Sequence, residues 1–419
     1  MRNKMGENKN IPQIRFNGFD ESWEVKKLGE IGFTYSGLFG KSKIDFGHGE
    51  GKYITYMNIF SNPITNVDIT APIEIDINQN EVEFGDVFFT TSSETPEEVG
   101  MTSVWLGSGK NTYLNSFCFG YRLTEELDSY FIAYLLRSFN TRKKITYLAQ
   151  GISRYNISKN KVMQICISRP KISEQYHIGS YFQNLDKLIT LQQQKHDKLV
   201  TLKKAMLDKM FPKEGADVPE IRFKEFTEAW KEGNLGDLSE SFEYGLNAPA
   251  TPYDGTNKYL RITDIDDVSH NFNKNDLTTP KTNLNLAGKF KLSSNDILFA
   301  RTGASVGKSY IYKESDGLVY FAGFLIRAII KSEINAGFVF QNTLTERYIK
   351  FIRITSQRSG QPGVNAIEYS RYRFMIPTKK EQDKIDIFLS KLDKLISLHQ
   401  QEIQKLKNIK KACLEKMFV

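Results

Sequence analysis

The chain repeats itself. Residues 174–211, EQYHIGSYFQNLDKLITLQQQKHDKLVTLKKAMLDKMF, lie without a gap over residues 381–418, EQDKIDIFLSKLDKLISLHQQEIQKLKNIKKACLEKMF, at an offset of 207 with 20 identities in 38 positions. The same offset sets IPQIRFNGFDESWEVKKLGE (11–30) over VPEIRFKEFTEAWKEGNLGD (218–237), with Trp23 over Trp230. One offset in two separated blocks means duplication of a unit. Any fold proposed for one half must therefore serve the other. PKEGAD (212–217), with its Pro and Gly, reads as the linker between the copies.

Between these blocks the copies diverge while their punctuation survives. KYITYMNI (52–59) faces KYLRITDI (258–265), DVFFTT (86–91) faces DILFAR (296–301), and GISRYN (151–156) faces GQPGVN (360–365). Short apolar or alternating runs bounded by Gly, Asn, Asp and Ser predict strands joined by exposed turns. Periodic stretches near 128–149 and 339–358 predict helices that close each variable region. The expected fold is α+β: two recognition-type domains in tandem (1–173 and 218–380), each followed by one long helix (174–211 and 381–419). In those helices Leu185, Leu188, Gln192, Lys195, Leu199, Leu202 and Met206 step by three and four. So do Leu392, Leu395, His399, Glu402, Leu406, Ile409 and Cys413. That is a narrow seam, apolar at its ends and polar in its middle, suited to an antiparallel coiled coil of the two helices.

Composition narrows the function classes. With 57 Lys and Arg against 49 Asp and Glu, the net charge is +8, which suits a nucleic-acid partner. The three cysteines, Cys118, Cys166 and Cys413, are odd in number and far apart, so a reducing, cytoplasmic setting is expected. The N-terminal MRNKMGENKN has no apolar signal core, and VYFAGFLIRAII is interrupted by Arg327 well short of a membrane span.

RTGASVGKSY (301–310) looks at first like a phosphate-binding loop. Such a loop needs four residues between its first Gly and Gly-Lys-Ser/Thr, and a helix after it. Here Gly303 and Gly307 are three residues apart, Thr302 stands where the first glycine belongs, and KSYIYK reads as a strand. A basic turn between two strands is what remains. No Asn/Asp-Pro-Pro-aromatic methyltransferase signature occurs, and no glycine-rich strand-to-helix turn suggests a cofactor pocket. His48, His177, His196, His270 and His399 do not sit at metal-ligand spacing with cysteines. DIDD (264–267) reads as a solvated turn. No catalytic centre, metal or cofactor is expected.

The paired RFxxFxxxW starts (Arg15 to Trp23, Arg222 to Trp230), the segments KYLRITDI, NDILFARTGASVGK and GQPGVN, the helix entries Pro170/Glu174/Gln175 and Pro377/Glu381/Gln382, and the KMF ends recur in a fixed, duplicated order. In that order they resemble the specificity subunits of type I restriction-modification systems over essentially the whole chain. The resemblance implies a non-catalytic DNA reader. Each variable domain would be a target recognition domain for one half of a split site, with the helices as spacer. Two adenine-modification subunits would dock on the helices, and restriction subunits would join through that complex. TTSSETPEEVG (90–100), longer and acidic, departs from ARTGASVGK of the second copy.

Arg and Lys suit phosphates and guanine, Asn and Gln suit adenine, and Ser or Thr suits either. In the second copy they gather as Arg301, Thr302, Ser305, Lys308 and Ser309, as Gln357, Arg358, Gln361 and Asn365, and as Lys258, Arg261 and Arg371. In the first copy they are Thr91, Ser92 and Ser93, then Arg154, Tyr155, Asn156 and Lys159, with Lys41, Lys43 and Lys52. A duplicated coiled-coil scaffold that binds nucleic acid without any link to methylation is the competing reading. It explains charge and helices but not why the turns diverge while the helices stay alike.

Overall fold

The computed structural model describes residues 10–419. It divides into two compact units: the first runs to Gln192 and adds Glu402–Val419, and the second is Gln193–Gln401. Each unit therefore owns its variable domain, half of one long helix and half of the other.

The helices are α1 (Tyr56–Ser61), α2 (Ser129–Arg137), α3 (Phe139–Thr146), α4 (Lys159–Val162), α5 (Ile172–Lys209), α6 (Ala336–Asn342), α7 (Glu346–Thr355), α8 (Ala366–Ser370) and α9 (Lys379–Lys416). The first unit centres on an antiparallel four-stranded sheet in the order Gly32–Ser36, Cys118–Leu123, Val87–Thr90, Thr102–Val104. The second repeats it as Ser239–Tyr244, Leu325–Ile330, Asp296–Ala300, Ser309–Ile311. A second small sheet joins Lys52–Ile54 to Thr112–Leu114 in parallel, matched by Lys258–Leu260 with Val319–Phe321. The predicted strand KYITYMNI is only half a strand. It ends at Ile54, and Thr55 accepts a hydrogen bond from the Asn58 amide to start α1. A hydroxyl that satisfies a free N-terminal amide outweighs β-branched propensity over a few residues. The predicted helices at 128–149 and 339–358 are each two helices, α2 with α3 and α6 with α7.

The retained sequence blocks build the joint between domain and long helix. Arg15 donates two hydrogen bonds of 2.7 Å to Glu174, and Arg222 does the same to Glu381 at 2.7 and 2.8 Å, each carboxylate being nearly fully buried. The following glutamine bridges two elements. Gln175 donates to the Pro170 carbonyl and accepts from the Asp128 amide, and Gln382 does the same with Pro377 and Asn335. Asp128 and Asn335 in turn cap α2 and α6. The KMF ends fill the cores. Phe418 packs on Trp23, Phe131 and Phe182, and Phe211 packs on Trp230 and Phe338.

Within each unit the two helix segments run antiparallel, as Lys410 pairs with Asp186 in the first and Lys203 with Asp393 in the second. These are the same pair in repeat numbering. The seam keeps every other predicted position and displaces the ones between them by one residue. Leu185, Leu199, Met206, Leu392 and Leu406 face inward as expected, but Leu188, Leu202 and Ile409 are 47%, 41% and 36% exposed, and Lys195 is exposed. Glu402 and Leu395 are half-buried beside it. The covered stripe is Phe182, Leu185, Ile189, Gln192, His196, Leu199, Lys203, Met206 and Met210, repeated as Leu389, Leu392, Ile396, His399, Ile403, Leu406, Lys410, Cys413 and Met417.

Candidate nucleic-acid interface

In the second unit the strand Asp296–Ala300 runs into the turn 301–308, and the loop 357–365 lies against it. Thr302 bridges Gly363, the Gly303 amide donates to the Pro362 carbonyl at 3.0 Å, and the Val364 amide to the Arg301 carbonyl at 2.9 Å. Two glycines make this possible. Gly303 (φ 72°) and Gly307 (φ 85°) lie in the left-handed region, and a Cβ on Gly307 would sit 2.6 Å from Ile352. Buried phenols fix the turn from below. Tyr369 donates to the Ala300 carbonyl at 2.7 Å and accepts from the Gly307 amide, while Tyr348 donates to the Gly307 carbonyl at 2.9 Å. Burial holds the Tyr348 hydroxyl well above the ordinary phenol range, so it remains a donor.

The first unit is built on the same plan. Ser92 and Ser93 pair with Asn156 and Tyr155, and the Ile157 amide donates to the Thr91 carbonyl at 3.0 Å. The loop closes at Gly100 (φ 64°), whose added Cβ would meet Ile145 at 2.7 Å. Gly100 and Ile145 are the repeat equivalents of Gly307 and Ile352. Here the support is a cation. Arg142 donates to the carbonyls of Glu97, Val99 and Gly100, and burial pushes its guanidinium down to about 10. The loop surface carries exposed Glu94, Glu97 and Glu98, with Glu98 accepting from Ser93 and Thr95.

Several sequence candidates meet on this double-loop surface. Arg301, Thr302 and Ser305 are half-buried at the turn, and Gln357, Arg358, Gln361 and Asn365 are exposed beside it. In the first unit Arg154 and Asn156 are exposed, and Thr91, Tyr155 and Lys159 half-buried. Others are already committed. Ser309 is fully buried with its hydroxyl 2.6 Å from Thr343, and Ser92 and Ser93 are buried in the bridge. Lys258 donates to the Asp316 carbonyl, Arg261 forks onto Asp264, Lys41 pairs with Asp76, and Lys308 pairs with Asp267. Asn365 caps α8 with its side-chain oxygen, and Arg358 pairs with Glu368. Lys43, Lys52 and Arg371 are exposed. Pattern reading missed Tyr244, whose ring lies 4.9 Å from the Arg301 guanidinium, and Ser36, which accepts from Lys159 at 2.9 Å. Both end the edge strand of the main sheet, a position with no local motif.

Among the described residues no group of three or more His, Cys, Asp or Glu is placed to hold a metal ion. No helix among them is long and apolar enough to cross a membrane.

A duplicated α+β domain with paired polar loops beside its main sheet, followed by a long helix, is an architecture suited to DNA recognition. The family described as type I restriction modification DNA specificity domain matches twice, over residues 20–201 and 227–408. The chain belongs to that family, and it is a non-catalytic DNA-recognition subunit. Its fold is similar to the crystal structure of the type I restriction-modification system S subunit from M. genitalium. That likeness has TM-score 0.59 and 15% identity and covers 98% of this chain and 99% of that one. It is also similar to a chain from a structural study of complex assembly and conformational transition of the type I R-M system, with TM-score 0.53, 14% identity, and 94% and 96% covered.

Proposed function

We propose that each unit reads one half of an asymmetric, bipartite duplex DNA site through its double loop, and that the long helices set the gap between the half-sites. In this reading the chain works in the cytoplasm with two adenine-modification subunits docked on its helices, and restriction subunits join through them. The observation that supports it is one frame holding two different loops: basic and amide-rich at 301–308 and 357–365, acidic and hydroxyl-rich at 91–100. Different loops on one frame present different donors and acceptors to base edges, so the half-sites differ in sequence.

Mapping the methylated sequence of the assembled methyltransferase tests this division. Exchanging residues 31–150 for a homologous domain changes one half-site and leaves the gap alone. Inserting four residues, about one turn, near Gln193 and Gln400 lengthens the gap and leaves both half-sites unchanged. The opposite pattern removes the reading. Arg301→Ala weakens binding and lowers the slope of log affinity against log salt by about 0.9, the value for one phosphate contact. Lys308→Ala, whose ammonium is already paired, lowers it less.

A further inference from the structure

Beside each double loop a phenylalanine points to solvent. Phe117 is 56% and Phe324 60% exposed, and they are 207 residues apart, so duplication and divergence have left both in place. Of the exposed aromatic side chains among the described residues, this pair is the one that recurs as the same residue at the repeat offset. A lone exposed Phe needs no explanation. A pair retained while the adjoining loops change does.

Each ring is carried on a held turn. The Cys118 amide donates to the Asn115 carbonyl at 3.0 Å and the Leu325 amide to the Ala322 carbonyl at 2.9 Å, so Phe is the third residue of a four-residue turn in both copies. A glycine makes room for each turn. A Cβ on Gly37 would lie 2.2 Å from the Asn115 carbonyl oxygen, and one on Gly245 would lie 2.1 Å from that of Ala322. The phenylalanine carbonyl then anchors the recognition loop itself. Phe117 accepts from the Thr91 amide (2.9 Å) and hydroxyl (2.8 Å), and Phe324 from the Arg301 amide (3.0 Å). Any duplex seated on Thr91 or Arg301 is thus within reach of a ring whose backbone cannot swing away.

We propose that Phe117 and Phe324 are the apolar base contacts of the two recognition units, each pressing on or between bases of its own half-site. Apolar side chains serve DNA readers in this way, as wedges at base steps and as contacts to the thymine methyl group. This rests on the proposed double-loop interface. It adds an uncharged, aromatic term that the charge and hydrogen-bond inventory lacks.

The test uses the assembled methyltransferase complex and the duplex identified by its own methylation map. Phe117→Ala and Phe324→Ala each weaken binding to that duplex about tenfold, on the scale of one lost base contact. The salt slope stays unchanged, and sensitivity to base substitution falls in one half-site only, a different half for each variant. Because both rings are exposed, melting temperature and assembly with the modification subunits stay at wild-type values. Unchanged affinity and site preference overturn the proposal, and so does loss of modification-subunit binding, which makes the rings protein contacts instead. Arg301→Ala runs alongside. If it weakens binding and the phenylalanine variants do not, only this inference fails. If none of the three does, the double-loop interface fails with it.

Discussion

The loops 91–100 and 301–307 begin after equivalent strands, bridge equivalent partners and end on equivalent glycines, Gly100 and Gly307, packed on Ile145 and Ile352. Between those fixed points they share little. The first is three residues longer, shows Glu94, Glu97 and Glu98 to solvent, and is held through its carbonyls by a buried arginine. The second shows Arg301 stacked on Tyr244 and is held by two buried tyrosines. Backbone hydrogen bonds and one close-packed glycine suffice to define the platform, so the residues between are free to change what is displayed. Support from below has changed as well, because a carbonyl accepts equally well from a guanidinium and from a phenol.

That equivalence is broken or sharpened by three pairs of substitutions and one graft. The largest effect is expected at the ends of the long helices. Phe418→Ala and Phe211→Ala should each cost about 3 to 5 kcal/mol, and hydrogen exchange should locate the loss in the first unit for Phe418 and in the second for Phe211. A loss confined to one unit for both variants would show that the two cores are not built alike. Next, Glu174→Ala and Glu381→Ala leave Arg15 or Arg222 without a carboxylate in a nearly closed joint. About 3 kcal/mol is expected from each in chemical denaturation, and a markedly smaller value at one joint would separate the copies. Gly100→Ala and Gly307→Ala combine a positive φ with a contact under 3 Å. Each should cost about 2 kcal/mol, and a cost near zero at either would mean that its loop can slide. The smallest effect belongs to a graft. Replacing residues 91–99 by residues 301–306 should shift the melting free energy by less than about 1 kcal/mol, because shortening a closed loop by three residues changes its closure entropy little. It should still change the methylated sequence of one half-site. A graft that unfolds the first unit shows instead that Arg142 is indispensable to the platform.

Much of the site was legible in sequence because turns carry chemical punctuation. The segments 301–308 and 357–365 read as separate loop candidates from Gly, Asn, Ser and basic residues, and the structure brings the two together. Less legible was which side chains remain available. Ser309, Ser92 and Ser93 share their residue type with surface hydroxyls, yet each lies where a strand or bridge turns it inward. Lys258 and Lys308 look like phosphate contacts until their partners, the Asp316 carbonyl and Asp267, come within reach from distant segments. Tyr244, Ser36, Phe117 and Phe324 were missed. A lone aromatic at a strand end has no motif, although the repeat offset alone would have set Phe117 over Phe324.

Sequence by itself determined the duplication, the division into variable domains and long helices, the strand-turn-strand character of RTGASVGK, and the absence of catalytic motifs. These follow from local chemistry and from comparing the chain with itself. The tertiary structure alone decided the helix seam. Stripes through Leu188 and Leu202 or through Ile189 and Lys203 both step by three and four. The second is covered because Lys203 and Lys410 find Asp393 and Asp186 across the pair, which removes the usual penalty for a cation in a seam. Tertiary structure also decided how the copies could drift apart. In the first unit Gly179 packs so closely on Tyr130 and Asp128 that a Cβ would fall 2.2 Å from the Asp128 carboxylate. In the second the glycine has moved to the partner position, Gly337, and Asp386 fills the space. One glycine per contact is required, but close packing does not specify which side supplies it.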